Sequence, residues 1–111
     1  MQKIHALSID IETFSDEDLS KSGVYRYAES DNFEILLFGY AVDGGSVSVV
    51  DLASGKTIPE DIIEAILDPD ITKWAFNASF ERICLSAWFH KHYPEHMDST
   101  YLDSASWCCS M

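Results

Sequence analysis

The stretch ALSIDIETFSDEDLS, residues 6–20, runs strand-forming residues directly into a string of acids. Side chains alternate across a strand, so Asp10 and Glu12 fall on one face with Ala6 and Ser8, roughly 6.6 Å apart along the chain. His5, Leu7, Ile9 and Ile11 fall on the other. The pattern predicts a first strand over 3–13, apolar enough on both faces to be an interior strand, that ends by holding two carboxylates side by side.

The rest of the chain can be laid out from that strand. Residues 15–30 are polar, with Gly23 and a Tyr25-Arg26-Tyr27 cluster, and predict a long loop beginning where the two acids end. FEILLFGYAV (33–42), then Asp43-Gly44-Gly45, then Val47, Val49 and Val50 predict a hairpin of two further strands. Thr57 with Glu60 three residues later has the form of a capping box, with Pro59 inside the first turn. Ile62, Ile63, Ile66 and Leu67 supply the helical face, and DPD at 68–70 stops it. Residues 71–76 read as a fourth strand. Asn77 reads as the N-cap of a second helix, running from Ala78 to about His92 and ended by Pro94. A fifth strand fits near the end of STYLDSASWCCSM. The order β-β-β-α-β-α-(β) predicts an α/β layer fold: one mixed sheet, with a hairpin on one side and helix-linked parallel strands on the other.

Composition narrows the function classes. Of 111 residues, 47% are hydrophobic and 23% charged, which is globular rather than disordered. The formal charge of -12 argues against a broad basic surface that grips phosphates unaided, so an anionic substrate would need cations. Cys84, Cys108 and Cys109 are odd in number and lack metal-ligand spacing, and read as reduced thiols. No apolar run reaches the roughly 18 residues of a membrane span, and no signal-peptide pattern follows Met1, so a cytoplasmic location without membrane contact is expected.

A third acid keeps apolar company. Glu81, Cys84, Leu85 and Trp88 fall at i, i+3, i+4 and i+7, so Glu81 heads an apolar stripe. Taken alone, it is explained by the helix dipole, which favours an acid in the first turn by about 0.3–1 kcal/mol. Asp10 and Glu12 alone are explained as exposed strand-end acids. If the fourth strand lies parallel beside the first, however, all three converge at the carboxyl edge of the sheet, where α/β folds place ligands. Oxygen ligands of this kind suit Mg²⁺ or Mn²⁺. Trp74, Trp88 and Trp107 read as core. His90, His92 and His96 do not read as a zinc site, because Pro94 interrupts the helix that would align them. Tyr25 and Tyr27 are candidates for touching a nucleotide, although alternation in a short edge strand would also explain them.

SIDIET (8–13) and FNASFER (76–82) resemble the first and second motifs of DEDD-type 3′-5′ exonucleases, proofreading domains with an RNase H-like fold. GVYRYAESDNFEILLFGYAVDGG and WCCSM further resemble the exonuclease portion of family A DNA polymerases of phage or prophage type. The resemblance implies that Asp10 and Glu12 bind two metals, with Asp10 bridging them, and that Thr13 and Phe14 meet the terminal nucleotide. Asn77 matches the asparagine of the second motif. Glu81 stands where the family more often has aspartate, and its extra methylene implies a contact with the second metal through water. The implied cofactors are Mg²⁺ or Mn²⁺, and the implied partners are a single-stranded DNA 3′ end and the remainder of a parent polymerase.

The family's third motif, a Tyr or His followed closely by a fourth acid, has no match. Tyr93, Tyr101, His92 and His96 lack an acid at either family spacing, and Asp98 and Asp103 precede the fifth strand. Residues 1–111 are therefore expected to form a partial exonuclease domain, truncated before that motif, nearly inactive alone and prone to self-association. The rival reading is a non-catalytic RNase H-like scaffold that clamps DNA or braces a polymerase. A small phosphatase or phosphotransferase using a strand-end acid gains nothing from Glu81.

Overall fold

The computed structural model describes residues 4–16, 19–96, 102 and 104–109. Five strands and three helices follow in the order β1 (Ala6–Phe14), α1 (Leu19–Glu29), β2 (Glu34–Val42), β3 (Ser48–Asp51), α2 (Glu60–Leu67), β4 (Thr72–Ala75), α3 (Ala78–His92) and β5 (Trp107–Cys109). The sheet runs β3-β2-β1-β4-β5. β1 is antiparallel to β2 and parallel to β4, β2 is antiparallel to β3, and β5 is parallel to β4. This mixed sheet with its helices is the α/β, RNase H-like arrangement that the sequence motifs implied.

Alternation along β1 decides where the core sits. Leu7, Ile9 and Ile11 are buried, and across the antiparallel ladder they oppose Val42, Tyr40 and Phe38. Ile62, Ile63 and Ile66 of α2, with Cys84, Leu85, Trp88 and Phe89 of α3, complete the same apolar cluster. Ser8, Asp10 and Glu12 on the opposite face are exposed, so β1 is central in the sheet yet covered on one face only. β1 is thus interior in the sheet as expected, and the alternation corrects the expectation that both its faces are apolar. It also corrects Trp74: Lys73 and Ala75 turn inward, so Trp74 turns outward and is 42% exposed, whereas Trp88 and Trp107 are core as expected. Burying Lys73 requires partners, and its Nζ donates to the Asp68 carbonyl at 2.5 Å and to Ser106 Oγ at 3.1 Å.

The hairpin turn also fastens the start of β1. Asp43 sits in the left-handed region at φ 51°, followed by Gly44 at φ 77°, and its Oδ1 accepts from the N–H groups of His5 (2.9 Å) and Ala6 (2.8 Å).

Two local expectations differ from the structure. Residues 15–30 are not all loop: α1 occupies 19–29, broken at Gly23, whose φ 80° and ψ 166° leave the helical region. Beyond the break, Val24, Tyr27 and Ala28 fall at i, i+3 and i+4 and join the core cluster, so packing against α3 supplies what the polar composition does not. The Asp16 carboxylate closes this excursion by accepting from the Ser30 hydroxyl and the Asn32 side-chain amide, which holds its pKa below the usual carboxylate range. The expected Thr57–Glu60 capping box is absent. Pro59 is itself the N-cap of α2 without a side-chain bond, and its carbonyl accepts from the N–H groups of Ile62 and Ile63.

Phe38 has no exposed surface and stands opposite Ile11 in the ladder. Phe38→Ala is expected to cost about 3–5 kcal/mol, the range for emptying a core aromatic site, read as a fall in the urea midpoint at unchanged slope.

Candidate metal and nucleotide site

The parallel register between β1 and β4 ends on the pair Ile9↔Ala75. β4 ends there, while β1 continues through Asp10 and Glu12 paired only with β2, and α3 begins at Ala78, two residues after Phe76. Helix α3 therefore starts beside the strand that carries the acids.

Its first turn is held by reciprocal capping. Asn77 Oδ1 accepts from the Phe80 N–H at 3.4 Å, while the Asn77 N–H donates to Glu81 Oε2 at 3.2 Å. Glu81 is only 6% exposed. Burial pushes its pKa above the usual carboxylate range; hydrogen bonds from the backbone N–H groups of Asn77 and Glu81 oppose that shift, and the charge of Asp10 adds to it. The two acids, seventy-one positions apart in the chain, thus feel each other electrostatically. Cys84, one turn along α3, has its thiol raised to about 12, by burial first and by the Glu81 charge second, which makes it an inert packing residue.

Glu12 sits where the β1–β2 register shifts. It opposes Leu37 while Thr13 opposes Ile35, so Leu36 is the extra residue of a bulge. A bulge bends the strand and re-aims the side chains beside it. Thr13 Oγ1 shares a 2.9 Å hydrogen bond with the Tyr27 hydroxyl, and Phe14 follows with its ring 53% exposed. Tyr27 is therefore packed and hydrogen-bonded rather than offered to solvent; Tyr25 is the exposed one of the pair.

Opposite Asp10 lies Gly39, where an added Cβ would stand 3.3 Å from the Asp10 carbonyl oxygen. With Ser8 and Ala41 it forms the floor of a cavity of about 140 Å³ that Trp74 walls on one side. Tyr27, a nucleotide-contact candidate by sequence, instead packs behind this edge, and nothing in the sequence marks Gly39. The i, i+3, i+4 pattern of Val24, Tyr27 and Ala28 was a usable signal for the former.

Asp10 and Glu12 offer exposed carboxylate oxygens on one face, and Glu81 a buried one nearby, a donor set suited to a hard divalent cation. Among the described residues, no three His, Cys, Asp or Glu side chains are already gathered closely enough to hold an ion. The Glu81 carboxylate instead faces the Asn77 N–H. Elsewhere on α3, His92 Nε2 lies 3.3 Å from Glu34, and Tyr93 packs against Trp88 and Phe89. Asp98, Tyr101 and Asp103, weighed for a third motif, lie outside the described residues. No helix among those residues is long and apolar enough to cross a membrane.

No family model matches the chain. Over 104 residues, 94% of its length, it is 46% identical to a DNA polymerase of Bacillus phage SP02, and it spans 15% of that polymerase. Among solved structures, Brucella melitensis NrnC is similar in fold, with a TM-score of 0.53 at 16% identity over 88% of this chain and 48% of NrnC. The chain thus resembles one segment of a much longer DNA polymerase and has the fold of NrnC.

The raised pKa of Glu81 fixes the sign of a pH effect. A carboxyl that holds its proton more tightly when folded stabilises the fold at low pH, and that stabilisation is lost as pH rises through its raised value. Glu81→Gln, which mimics the protonated acid, is expected to melt at a higher temperature than the wild type near neutral pH. The gap should close toward about pH 4, where the unfolded-state glutamate is also protonated; thermal melts at both pH values check it.

Proposed function

We propose that the chain is part of a two-metal 3′-5′ exonuclease module that trims DNA 3′ ends within a cytoplasmic DNA polymerase. A further acid would come from the longer chain, and the 111 residues alone would be nearly inactive. The observation that carries this reading is the meeting of β1 and the start of α3 at one sheet edge, which sets Asp10 within electrostatic reach of Glu81. Identity to a polymerase segment supports it.

In this reading, Asp10 and Glu12 would hold the cations and Glu81 would contact the second through water. The bound ions would lower the pKa of a water molecule and offset charge on the scissile phosphate. The exposed Phe14 ring offers a stacking surface for the terminal base, and Thr13 lies beside the sugar-phosphate. Asn77 Oδ1 is committed to the helix cap, which leaves its amide N–H groups to reach a phosphate. Gly39 keeps the surface opposite Asp10 clear.

A second reading, a non-catalytic scaffold that clamps DNA, is favoured by one observation: Glu81 is turned to the Asn77 N–H, and no ready-made three-ligand set exists among the described residues. Titration with Mn²⁺ separates the two. The nuclease reading expects weak binding by the wild type that Asp10→Ala removes; identical titrations for both proteins would favour the scaffold. On a 5′-labelled single strand with Mn²⁺, the chain should shorten DNA feebly at most. Robust shortening that survives Asp10→Ala would end the nuclease reading.

Gly39→Val tests the floor of the site. A branched side chain whose Cβ starts 3.3 Å from the Asp10 backbone oxygen must displace that strand or crowd the Asp10 carboxylate. Mn²⁺ affinity is expected to fall at least as far as in Glu12→Gln, and an unchanged isotherm would show that Asp10 does not need the space.

A further inference from the structure

The Tyr27 side chain touches both acid-bearing segments. Its hydroxyl shares the 2.9 Å hydrogen bond with Thr13, the residue after Glu12. Its ring lies 6.1 Å, centroid to centroid, from that of Phe80, the residue before Glu81. A third contact, edge-on to the buried Phe33 at 5.8 Å, anchors the ring from below. Tyr27 reaches this point because the break at Gly23 separates it from the first turn of α1, while Val24 and Ala28 hold its half of the helix in the core.

The contact falls where β1 is least restrained by its own ladder. Between Glu12 and Thr13 the register with β2 shifts, and bulged residues lose part of the hydrogen bonding that otherwise fixes a strand's direction. A side-chain bond to Thr13 replaces the missing restraint. Because the same ring leans on the first turn of α3, a movement of either segment is felt by the other.

We infer that Tyr27 is a positioning residue that sets the separation between the strand-end acids and Glu81, by tying Thr13 at the bulge to Phe80 at the helix start. The inference deepens the nuclease reading and rests on it. Tyr27 does not ligate; it acts through Thr13, which orients Glu12, and through Phe80, which orients Glu81.

The test is Mn²⁺ titration of the chain, followed by electron paramagnetic resonance, alongside urea unfolding without metal, for Tyr27→Phe, Thr13→Val, Thr13→Ser and the double variant Tyr27→Phe/Thr13→Val. Tyr27→Phe keeps both ring contacts and loses only the hydroxyl, so Mn²⁺ affinity should fall about three- to tenfold, the scale of one neutral hydrogen bond. Thr13→Val should match it, the double variant should lose no more than either alone, and Thr13→Ser, which retains a hydroxyl, should stay near wild type. Wild-type Mn²⁺ affinity in Tyr27→Phe, or losses that simply add in the double variant, would overturn the inference even if the urea midpoint drops. Failure of the wild type to bind Mn²⁺, or binding that ignores Asp10→Ala, would defeat the nuclease reading itself, and this inference with it. The two failures are thereby distinguished.

Discussion

The parallel pairing of β1 with β4 is the constraint on which the site depends. Four residue pairs, Ala6↔Thr72 through Ile9↔Ala75, set the end of β4 beside the middle of β1 and so deliver the start of α3 to the strand that carries Asp10 and Glu12. The register is set by burial rather than by the ladder alone. Leu7 and Ile9 must face the core with Ala75, and a slip of one residue would turn the acids inward and the isoleucines out. Core packing and acid placement are therefore one decision made twice, on opposite faces of the same strand.

That arrangement creates an asymmetry between the acids. Asp10 and Glu12 are exposed. Glu81 is buried one turn from Cys84, where an isolated negative charge is disfavoured and the Asp10 charge disfavours it further. The fold offsets part of this cost with two backbone N–H groups at the helix start, and a protonated Glu81 would relieve the rest. So would a divalent cation. A carboxylate held above its ordinary pKa beside two exposed ones is a place where positive charge is missing from the chain's own side chains, and this makes the helix cap and the proposed metal contact alternative uses of one group.

Most of the sheet was legible because its signals are local and periodic: alternation in 6–14, an apolar run and a DGG turn in 33–45, and Asn77 before an amphipathic helix. The parallel placement of β4 beside β1 was legible because parallel strands joined by a helix have few ways to pack. Three features were not legible, each for a stated reason. Helix α1 is polar and contains Gly23, so its propensity points to loop, and only contact with α3 decides otherwise. Thr57 has the right spacing to cap α2, but Pro59 enters with an extended ψ of 144° and takes the cap position itself. Trp74 is apolar by composition but outward by parity, because Lys73 found buried partners and fixed the alternation. Tyr27 belongs with these: its two contacts join segments fourteen and fifty-three positions away, and no pattern within a short window reports them.

Electrostatics then bear on how such a chain could meet a nucleic acid at all. It has seven Lys and Arg against nineteen Asp and Glu. Several of the seven are already engaged inside the fold: Lys73 under the sheet with Asp68 and Ser106, Lys91 with Glu34 and the Asp31 and Phe33 carbonyls, and Arg82 with the Leu102 carbonyl. The Lys91 and Arg82 contacts tie helix α3 to β2 and to the segment before β5, and those of Lys73 serve β4, so these three cations serve the architecture. The acids at the sheet edge would repel a strand unless ions bind between them, and the exposed apolar surface there, Phe14 and Phe76, can attract only bases. In the proposed reading, metal ions bound by these carboxylates, with stacking in place of basic side chains, would turn this repulsive edge into an attractive one.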